Sequence, residues 1–349
     1  MRFVTILAVV ALSAVSTGVT SRQVSAVPAS LSDREFWSLS EQISEPHAYF
    51  RSNSGSPDNL LSNENDVSSI AASLAQRVSP GGVYLGVGPE QNFTYIAAIR
   101  PRIAFITDIR RGNLHLHLMY KALFETSTNR ADFVARLFTR ARPPGLATAS
   151  SASDLMNAYL RVEPGNEAAY QANLKAITDH LTKTRSLPLS PDDLAGIDYV
   201  YRNFHKFGPA INYTSSINGR AGSAGSYAAI QGAIDRASGA ERTYLSSEST
   251  FALVKALQSK NLLVPIVGDF AGPKALRAVG AYLKERRAVV SAFYVSNVES
   301  YLQRNGVWGK FCANVATLPL DAASTFIRPG GRSNSLLPMV AETANCAAK

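Results

Sequence analysis

Two kinds of apolar pattern alternate along the chain and divide it into predicted helices and buried strands. From Val67 to Val78 apolar residues recur three or four positions apart, as on one face of a helix, and Pro80 ends this stretch. Continuous apolar runs follow at Val83–Val87 and Ile103–Ile109, and these runs are too short for typical helices. Because strands covered on both faces read as uninterrupted apolar runs, this alternation predicts a parallel sheet.

A long helical stretch interrupts the strand pattern, which then resumes. Residues 112–260 show mainly helical spacing and include a glycine- and serine-rich loop at 208–227, longer than most connections in compact domains. Further strands are predicted at Leu262–Val267 and Ala288–Val295, with a helix between them. We therefore predict an α/β fold: a doubly wound, mostly parallel Rossmann-like sheet with a large helical insertion between strands 2 and 3.

The first residues carry the pattern of a secretory signal. Arg2 precedes the apolar stretch Phe3–Val19, and residues 24–26 (Val-Ser-Ala) fit a small-x-small cleavage site. An uncleaved anchor is the alternative, although the run is short for a membrane span. We predict a signal peptide at 1–26 and a single exported domain at 27–349, periplasmic or secreted, with no membrane span once the signal is removed.

Composition and charge narrow the classes of function. With 46% hydrophobic and 17% charged residues, the chain is typical of a globular protein and not of a disordered one. The net charge is +9, but the only lysine or arginine doublets are at 110–111 and 286–287, which argues against nucleic-acid binding. Two cysteines are too few for a disulfide scaffold. Cys312 and Cys346 either pair in an oxidising compartment or remain one buried and one free thiol.

The sharpest local signal is a glycine turn between the first predicted strand and the helix after it. Gly86-Val87-Gly88 allows the backbone to approach a ligand, and the following helix offers free N–H groups. Asp108 stands twenty residues beyond Gly88, a spacing that suits an acid accepting hydrogen bonds from ribose hydroxyls. Glu90 replaces the third glycine of the dinucleotide fingerprint and disfavours a pyrophosphate. The alternative is a tight turn without a ligand, in which Asp108 caps a helix.

The segments that carry these features resemble a sequence family. The residues from Val83 to Leu137, and again from Leu262 to Ile327, are similar to an uncharacterised bacterial family with a class I S-adenosylmethionine-dependent methyltransferase-like fold. The resemblance rests on the stretch YLGVGPEQNF at the glycine turn and on the stretch VPIVGDFAGP at the third predicted strand. It implies a fold, since no activity is attached to the family.

The resemblance also implies roles for individual residues. In methyltransferases of this class the glycine turn, here Gly86 and Gly88, lies against the cofactor. The acid that ends the second strand, here Asp108, binds the ribose, and a residue at the position of Asp269 faces the reacting centre. The usual acid two positions before the first glycine is Tyr84 in this chain. The predicted cofactor-binding residues are Gly86, Gly88, Glu90, Gln91, Asp108 and Arg110.

Candidate catalytic residues lie near strand ends and beside the long loop. Asp269 and Glu299 follow the third and fourth predicted strands, whose carboxyl ends form the ligand-binding edge of doubly wound sheets. His205 precedes the glycine-rich loop, which we expect to act as a lid that brings it to the site; otherwise it complements the helix dipole. His115 and His117 are two residues apart, whereas paired metal ligands on a helix need three or four, so no metal site is predicted.

Several functions remain open at this point. We predict a small-molecule ligand, S-adenosylmethionine or another adenosine-bearing compound, and a methyltransferase-like activity if the protein is an enzyme. One alternative is a non-catalytic envelope binding or scaffold protein with a degenerate nucleotide crevice. Another is a hydrolase or transferase of an envelope metabolite that uses Asp269, Glu299 and His205 without a nucleotide.

Overall fold

A six-stranded sheet lies at the centre of the structure, a computed structural model that describes residues 26–48, 58–64, 66–217, 225–330 and 333–346. Except for Ala26, the predicted signal peptide lies outside the described residues, and so does part of the glycine- and serine-rich loop, residues 218–224. The strands are β1 (Val83–Gly86), β2 (Ile103–Asp108), β3 (Leu263–Val267), β4 (Val290–Tyr294), β5 (Thr325–Gly330) and β6 (Ser333–Pro338).

The strand order is β3-β2-β1-β4-β5-β6, in which β1 to β5 pair in parallel and β6 runs antiparallel to β5. This confirms the predicted α/β class and the mostly parallel sheet. All residues of β1, β2 and β3 are buried, which explains their continuous apolar sequences. The chain builds β1, β2 and β3 towards one edge and then returns to place β4 on the other side of β1. Open α/β sheets bind ligands at such a switch point, beyond the carboxyl ends of the strands.

Fourteen α-helices occur within the described residues. They are α1 (Asp33–Ile43), α2 (Val67–Arg77), α3 (Gln91–Ile99), α4 (Arg111–Thr126), α5 (Arg130–Phe138), α6 (Ala152–Leu160), α7 (Glu167–Asp179), α8 (Pro191–Phe207), α9 (Tyr227–Gln231), α10 (Glu248–Ser259), α11 (Ala275–Glu285), α12 (Val298–Arg304), α13 (Trp308–Val315) and α14 (Met339–Ala344). The described residues between β2 and β3 form α4 to α10 and no strand of the sheet. None of the helices in the described ranges is both long and apolar enough to cross a membrane.

Local sequence signals account for where several helices begin. A capping box begins α1: the Ser32 backbone N–H donates to the Glu35 carboxylate at 2.8 Å, and the Glu35 N–H donates to the Ser32 hydroxyl at 3.2 Å. Ser190 and Asp193 form the same reciprocal pair at the start of α8, where Pro191 occupies the first helical position.

Aromatic side chains join the helices of the segment between β2 and β3 to the helix that follows β1. The ring of Phe93 in α3 meets Tyr120, Phe124 and Tyr244 edge-on, with ring centroids 5.1, 5.3 and 5.3 Å apart. All four side chains are fully buried. The helical segment therefore packs into the same hydrophobic core as the sheet.

A disulfide bond ties the last described residues to the body. Cys312 in α13 and Cys346 form this bond, with their Cα atoms 5.6 Å apart, so the paired alternative of the two left open by the sequence is the one observed. Trp308 adds a hydrogen bond from its indole N–H to the Cys346 carbonyl at 3.1 Å. The cross-link spans 34 residues that include β5, β6 and α14.

We predict that Cys346→Ser lowers the free energy of unfolding by about 2–4 kcal/mol, because the cross-link restricts the unfolded chain. Denaturant unfolding with and without a reductant measures this. Reduction should destabilise the unmodified protein to the level of the variant and leave the variant unchanged. Equal stability of the two oxidised proteins would show that the bond does not contribute.

Candidate functional site

A cleft opens at the carboxyl ends of β1, β2, β3 and β4 and encloses about 850 Å³, counted to its open mouth. Val87 and Gly88 follow β1, Asp108 ends β2, Asp269 follows β3 and Tyr294 ends β4. Further walls come from the segment before α2, from the start of the long loop and from α12, and include Asn59, Ser62, Tyr213 and Tyr301. The cleft thus lies at the switch point between β1 and β4.

Four of the predicted site residues line this cleft: Gly88, Gln91, Asp108 and Asp269. Gly88 has a φ of +75°, a conformation that favours glycine. A Cβ atom at Gly88 would have no neighbour closer than 3.8 Å, so the space in front of it is open. The backbone of Gly88, the second glycine of the turn, is therefore exposed to the cleft.

Gly86 does not line the cleft, which corrects the prediction that both glycines lie against a ligand. A Cβ atom at Gly86 would lie 2.0 Å from the side-chain oxygen of Asn92, so glycine is needed there for internal packing. The same oxygen accepts a hydrogen bond from the Tyr84 hydroxyl at 2.7 Å. The Asn92 amide nitrogen donates to the carbonyls of Val87 and Pro89 at 3.0 and 2.7 Å. Asn92 therefore holds the turn from behind.

Asp108 forms a buried ion pair with Arg110. The guanidinium donates from Nε to Oδ1 and from Nη2 to Oδ2, both at 3.1 Å, and the Arg110 backbone N–H donates to Oδ1 at 2.9 Å. Each side chain is 4% exposed. A carboxylate accepts about four hydrogen bonds, so Oδ2 keeps capacity for a ligand hydroxyl. Arg110 does not line the cleft; it orients the acid that does.

One carboxylate oxygen of Asp269 is hydrogen-bonded within the loop that follows β3. Its Oδ1 accepts a hydrogen bond from the Ala271 backbone N–H at 2.9 Å, and its own N–H donates to the Glu45 carboxylate at 3.2 Å. Its Oδ2 accepts no hydrogen bond from the described residues, so this oxygen is the one available to a ligand in the cleft.

The described lining of the cleft is acidic and aromatic. It contains the carboxylates of Asp108 and Asp269 and no lysine, arginine or histidine. Tyr213, Phe270 and Tyr301 add ring surfaces. Arg110 balances the charge of Asp108, whereas Asp269 has no ion pair among the described residues. An unpaired carboxylate repels phosphate groups and favours hydroxyl donors or a cation, and the rings suit a flat apolar group. The lining therefore fits a hydroxylated or cationic ligand with an aromatic part.

Two predicted catalytic residues lie elsewhere. His205 in α8 packs against Tyr170 of α7, with ring centroids 5.0 Å apart, and burial lowers the pKa of its imidazole. Glu299 in α12 pairs with Arg328 at 2.9 Å. Neither lines the cleft with Asp269, because each is held by a partner from a distant part of the chain. The structure does not support the set of Asp269, Glu299 and His205 as one catalytic group.

The carboxyl group of Glu90 faces the interior and does not line the cleft. It is fully buried and accepts hydrogen bonds from the Ser62 backbone N–H at 3.3 and 3.4 Å. Burial raises the pKa of Glu90 to about 8, although these backbone hydrogen bonds act in the opposite direction. Glu90 is therefore neutral at pH 7, and the predicted contact with a cofactor is not formed by its side chain in this structure.

Histidine and asparagine side chains of α4 lie behind the glycine turn. His117 contacts the Gly88 carbonyl through Nε2 at 3.0 Å, and burial lowers the pKa of this imidazole to about 4. The neutral ring therefore donates through Nε2, which leaves Nδ1 as an acceptor without a protein partner. One turn earlier, both side-chain atoms of Asn113 are also buried without a partner. A buried water between them would satisfy these groups.

Arg111 and His115 of α4 also have partners within the protein. Arg111 binds Asp193 through Nε at 2.7 Å, and His115 contacts the same carboxylate at 2.9 Å. The arginine doublet at 110–111 therefore pairs with carboxylates of the chain itself. Among the residues for which coordinates are described, no group of three or more metal-ligating side chains comes together.

We predict that Glu90→Gln removes a pH dependence of stability. The folded state keeps the Glu90 proton up to about pH 8, whereas the unfolded chain loses it above about pH 4.5. The free energy of unfolding should therefore fall as pH rises between these values, with a slope of up to about 1.4 kcal/mol per pH unit from this group. Urea unfolding from pH 5 to 8 measures the slope. Exposed Glu163→Gln is the control and should keep it; an unchanged slope in Glu90→Gln would contradict the prediction.

Comparison with sequence families matches residues 60–187 and 225–342 to one of them. The match spans all six strands and omits 188–224, which contains α8 and the cleft residue Tyr213. It assigns neither a methyltransferase fold nor an activity. The comparison with curated proteins gives no match. Because the matched segments make up more than half of the chain, the chain belongs to the family described as a domain of unknown function (DUF7790).

Proposed function

We propose that the protein binds a small ligand with hydroxyl groups and an aromatic part in the cleft, and that an adenosine-bearing compound such as S-adenosylmethionine is the first candidate. The observation that carries this proposal is the pair of carboxylates, Asp108 and Asp269, in a lining without cations at the switch point of the sheet. We also propose that the fold is a Rossmann-like sheet of methyltransferase type and that the helices between β2 and β3 are an insertion into it.

In this proposal Asp108 receives the ribose. Arg110 fixes the plane of the Asp108 carboxylate through two parallel hydrogen bonds, so a diol meets an acceptor of set orientation. The open backbone at Gly88 allows close approach of the ligand. Tyr213 and Tyr301 supply surfaces on which a purine can stack. A positive sulfonium group also suits Asp269, the lining carboxylate that has no ion pair among the described residues.

Asp269 is the proposed catalytic residue if the protein is a methyltransferase. Its free Oδ2 is placed to accept a proton from the nucleophilic atom of a substrate, while S-adenosylmethionine would supply the methyl group. His205 and Glu299 are not proposed for this step, because other residues hold them outside the cleft.

A second candidate function is non-catalytic binding at the cell envelope. The space in front of Gly86 is filled by Asn92 and Tyr84, so part of a nucleotide crevice is closed. The disulfide bond fits an oxidising compartment and supports the proposed export, whereas S-adenosylmethionine is made and kept in the cytosol. In an exported protein, another hydroxylated ligand would occupy the same cleft.

We predict that calorimetric titration detects binding of S-adenosylmethionine, S-adenosylhomocysteine or adenosine, and that Asp108→Asn weakens it about 10- to 150-fold. This factor corresponds to the loss of one charge-assisted hydrogen bond, about 1.5–3 kcal/mol. Exposed Asp192→Asn is the matched control and should bind as the unmodified chain does.

Because Asp108→Asn leaves the buried Arg110 without its partner, Asp269→Asn serves as a second variant if the first does not fold. Loss of affinity in either folded variant supports the cleft as the site. Binding that both variants retain in full would place the ligand elsewhere. Folded, unmodified protein that binds none of the three compounds would refute the adenosine proposal and favour the non-catalytic candidate.

A further inference from the structure

Basic residues from three separate segments meet at the amino ends of β2, β3 and β4. Arg100 and Arg102 precede β2, Lys260 precedes β3, and Arg286 and Arg287 precede β4. Because these strands are parallel, their amino ends share one edge of the sheet, opposite the cleft. The five side chains border two shallow depressions that share Arg102 as a common wall. We name these five residues the basal surface.

Most of the charge on the basal surface is uncompensated. Arg100, Arg102, Lys260 and Arg287 are exposed, and in the described ranges none of them has a carboxylate within 4.0 Å of its charged group. Arg286 packs over the ring of Tyr282 and has one weak pair, 3.5 Å, with an exposed glutamate. No acidic residue borders either depression. The surface is therefore strongly positive, unlike the paired doublet at 110–111.

The described chain begins at this same surface. Ala26 and Val27 border the depressions, and the Leu31 backbone N–H donates to the Lys260 carbonyl at 2.9 Å, which fixes the first residues here. The apolar stretch Phe3–Val19 ends seven positions before Ala26. Seven residues span at most about 25 Å, so the covalent chain limits the distance between the apolar stretch and the basal surface for as long as the two are joined.

We propose that the basal surface docks on an anionic phospholipid membrane. The uncompensated cations match the charge of such a surface, and the predicted signal peptide, until it is cleaved, joins the chain at this edge of the sheet. Half-buried Leu253 and Leu257 of α10 border one depression and add apolar contact. A central strand of four to six residues spans about 15–20 Å, so the cleft at the other edge faces away from the membrane and stays open to soluble ligands.

Sedimentation with lipid vesicles tests this proposal on the chain from Val27 onward, which keeps every described residue except Ala26. Vesicles of phosphatidylcholine alone are compared with vesicles that contain about one third phosphatidylglycerol. We expect binding to the anionic vesicles only, and loss of that binding at high salt, because salt screens exposed charges.

Paired variants locate the binding surface. Arg102→Gln with Arg287→Gln removes two exposed cations of the basal surface and should weaken binding about 25-fold, since each basic residue near an anionic bilayer contributes about fivefold. Lys206→Gln with Arg236→Gln is the control, because it removes two exposed cations that lie outside the basal surface. We expect it to weaken vesicle binding much less than the first pair does. Both pairs keep the buried core intact.

Three results would overturn the proposal. Equal affinity for neutral and anionic vesicles would show that charge does not drive the contact. Equal weakening by the two variant pairs would show that net charge acts without a defined surface. Tighter binding to a DNA duplex than to the anionic vesicles, lost in the basal variant, would assign the surface to a nucleic acid instead.

Discussion

Complete burial of β1, β2 and β3 is the constraint on which the arrangement of charge in this protein depends. β1, β2 and β3 have no exposed residue, and an unpaired charge in such a strand would cost several kilocalories per mole. Charged side chains can therefore follow or precede these strands but cannot interrupt them. The carboxyl ends carry Asp108 and Asp269, and the amino ends are preceded by Arg102 and Lys260. A parallel sheet thus separates an acidic edge from a basic one.

The turn after β1 shows how the protein keeps the floor of the cleft fixed without using groups inside it. Asn92 binds the carbonyls on either side of Gly88, and His117 contacts the Gly88 carbonyl itself. None of these contacts comes from a residue that lines the cleft. Gly88 is therefore held in its positive-φ conformation from the protein side, which leaves its other side open to a ligand. This arrangement places several polar groups, among them the neutral carboxyl group of Glu90, in the buried core, where polar groups need hydrogen-bond partners.

The strand ends were predictable from sequence because burial leaves a clear signal, but the direction of side chains was not. The apolar runs and the spacing of Gly88, Asp108 and Asp269 correctly indicated which residues reach the carboxyl edge. Glu90 stands two positions after Gly88 in sequence and nevertheless turns inwards, because it precedes a helix that is buried on nearly every side. Neither β5 nor β6 was predicted as a strand. The apolar residues of β5 end before Arg328, and β6 pairs with a neighbour on one side only and has no continuous apolar run.

Ion pairs between residues far apart in sequence were the other feature that could not be predicted from the sequence. Nothing local to Glu299 indicates that Arg328 binds it, and nothing local to Arg110 distinguishes a buried partner of Asp108 from a free cation. The structure, by contrast, distinguishes paired cations from unpaired ones. The two arginine doublets look alike in sequence, yet the first is paired with acids of the chain. In the second, Arg286 has one 3.5 Å pair with an exposed glutamate, and Arg287 has no ion pair among the described residues. Net charge alone therefore says little about binding, and only the fold separates the cations that stabilise the protein from those that remain for a partner.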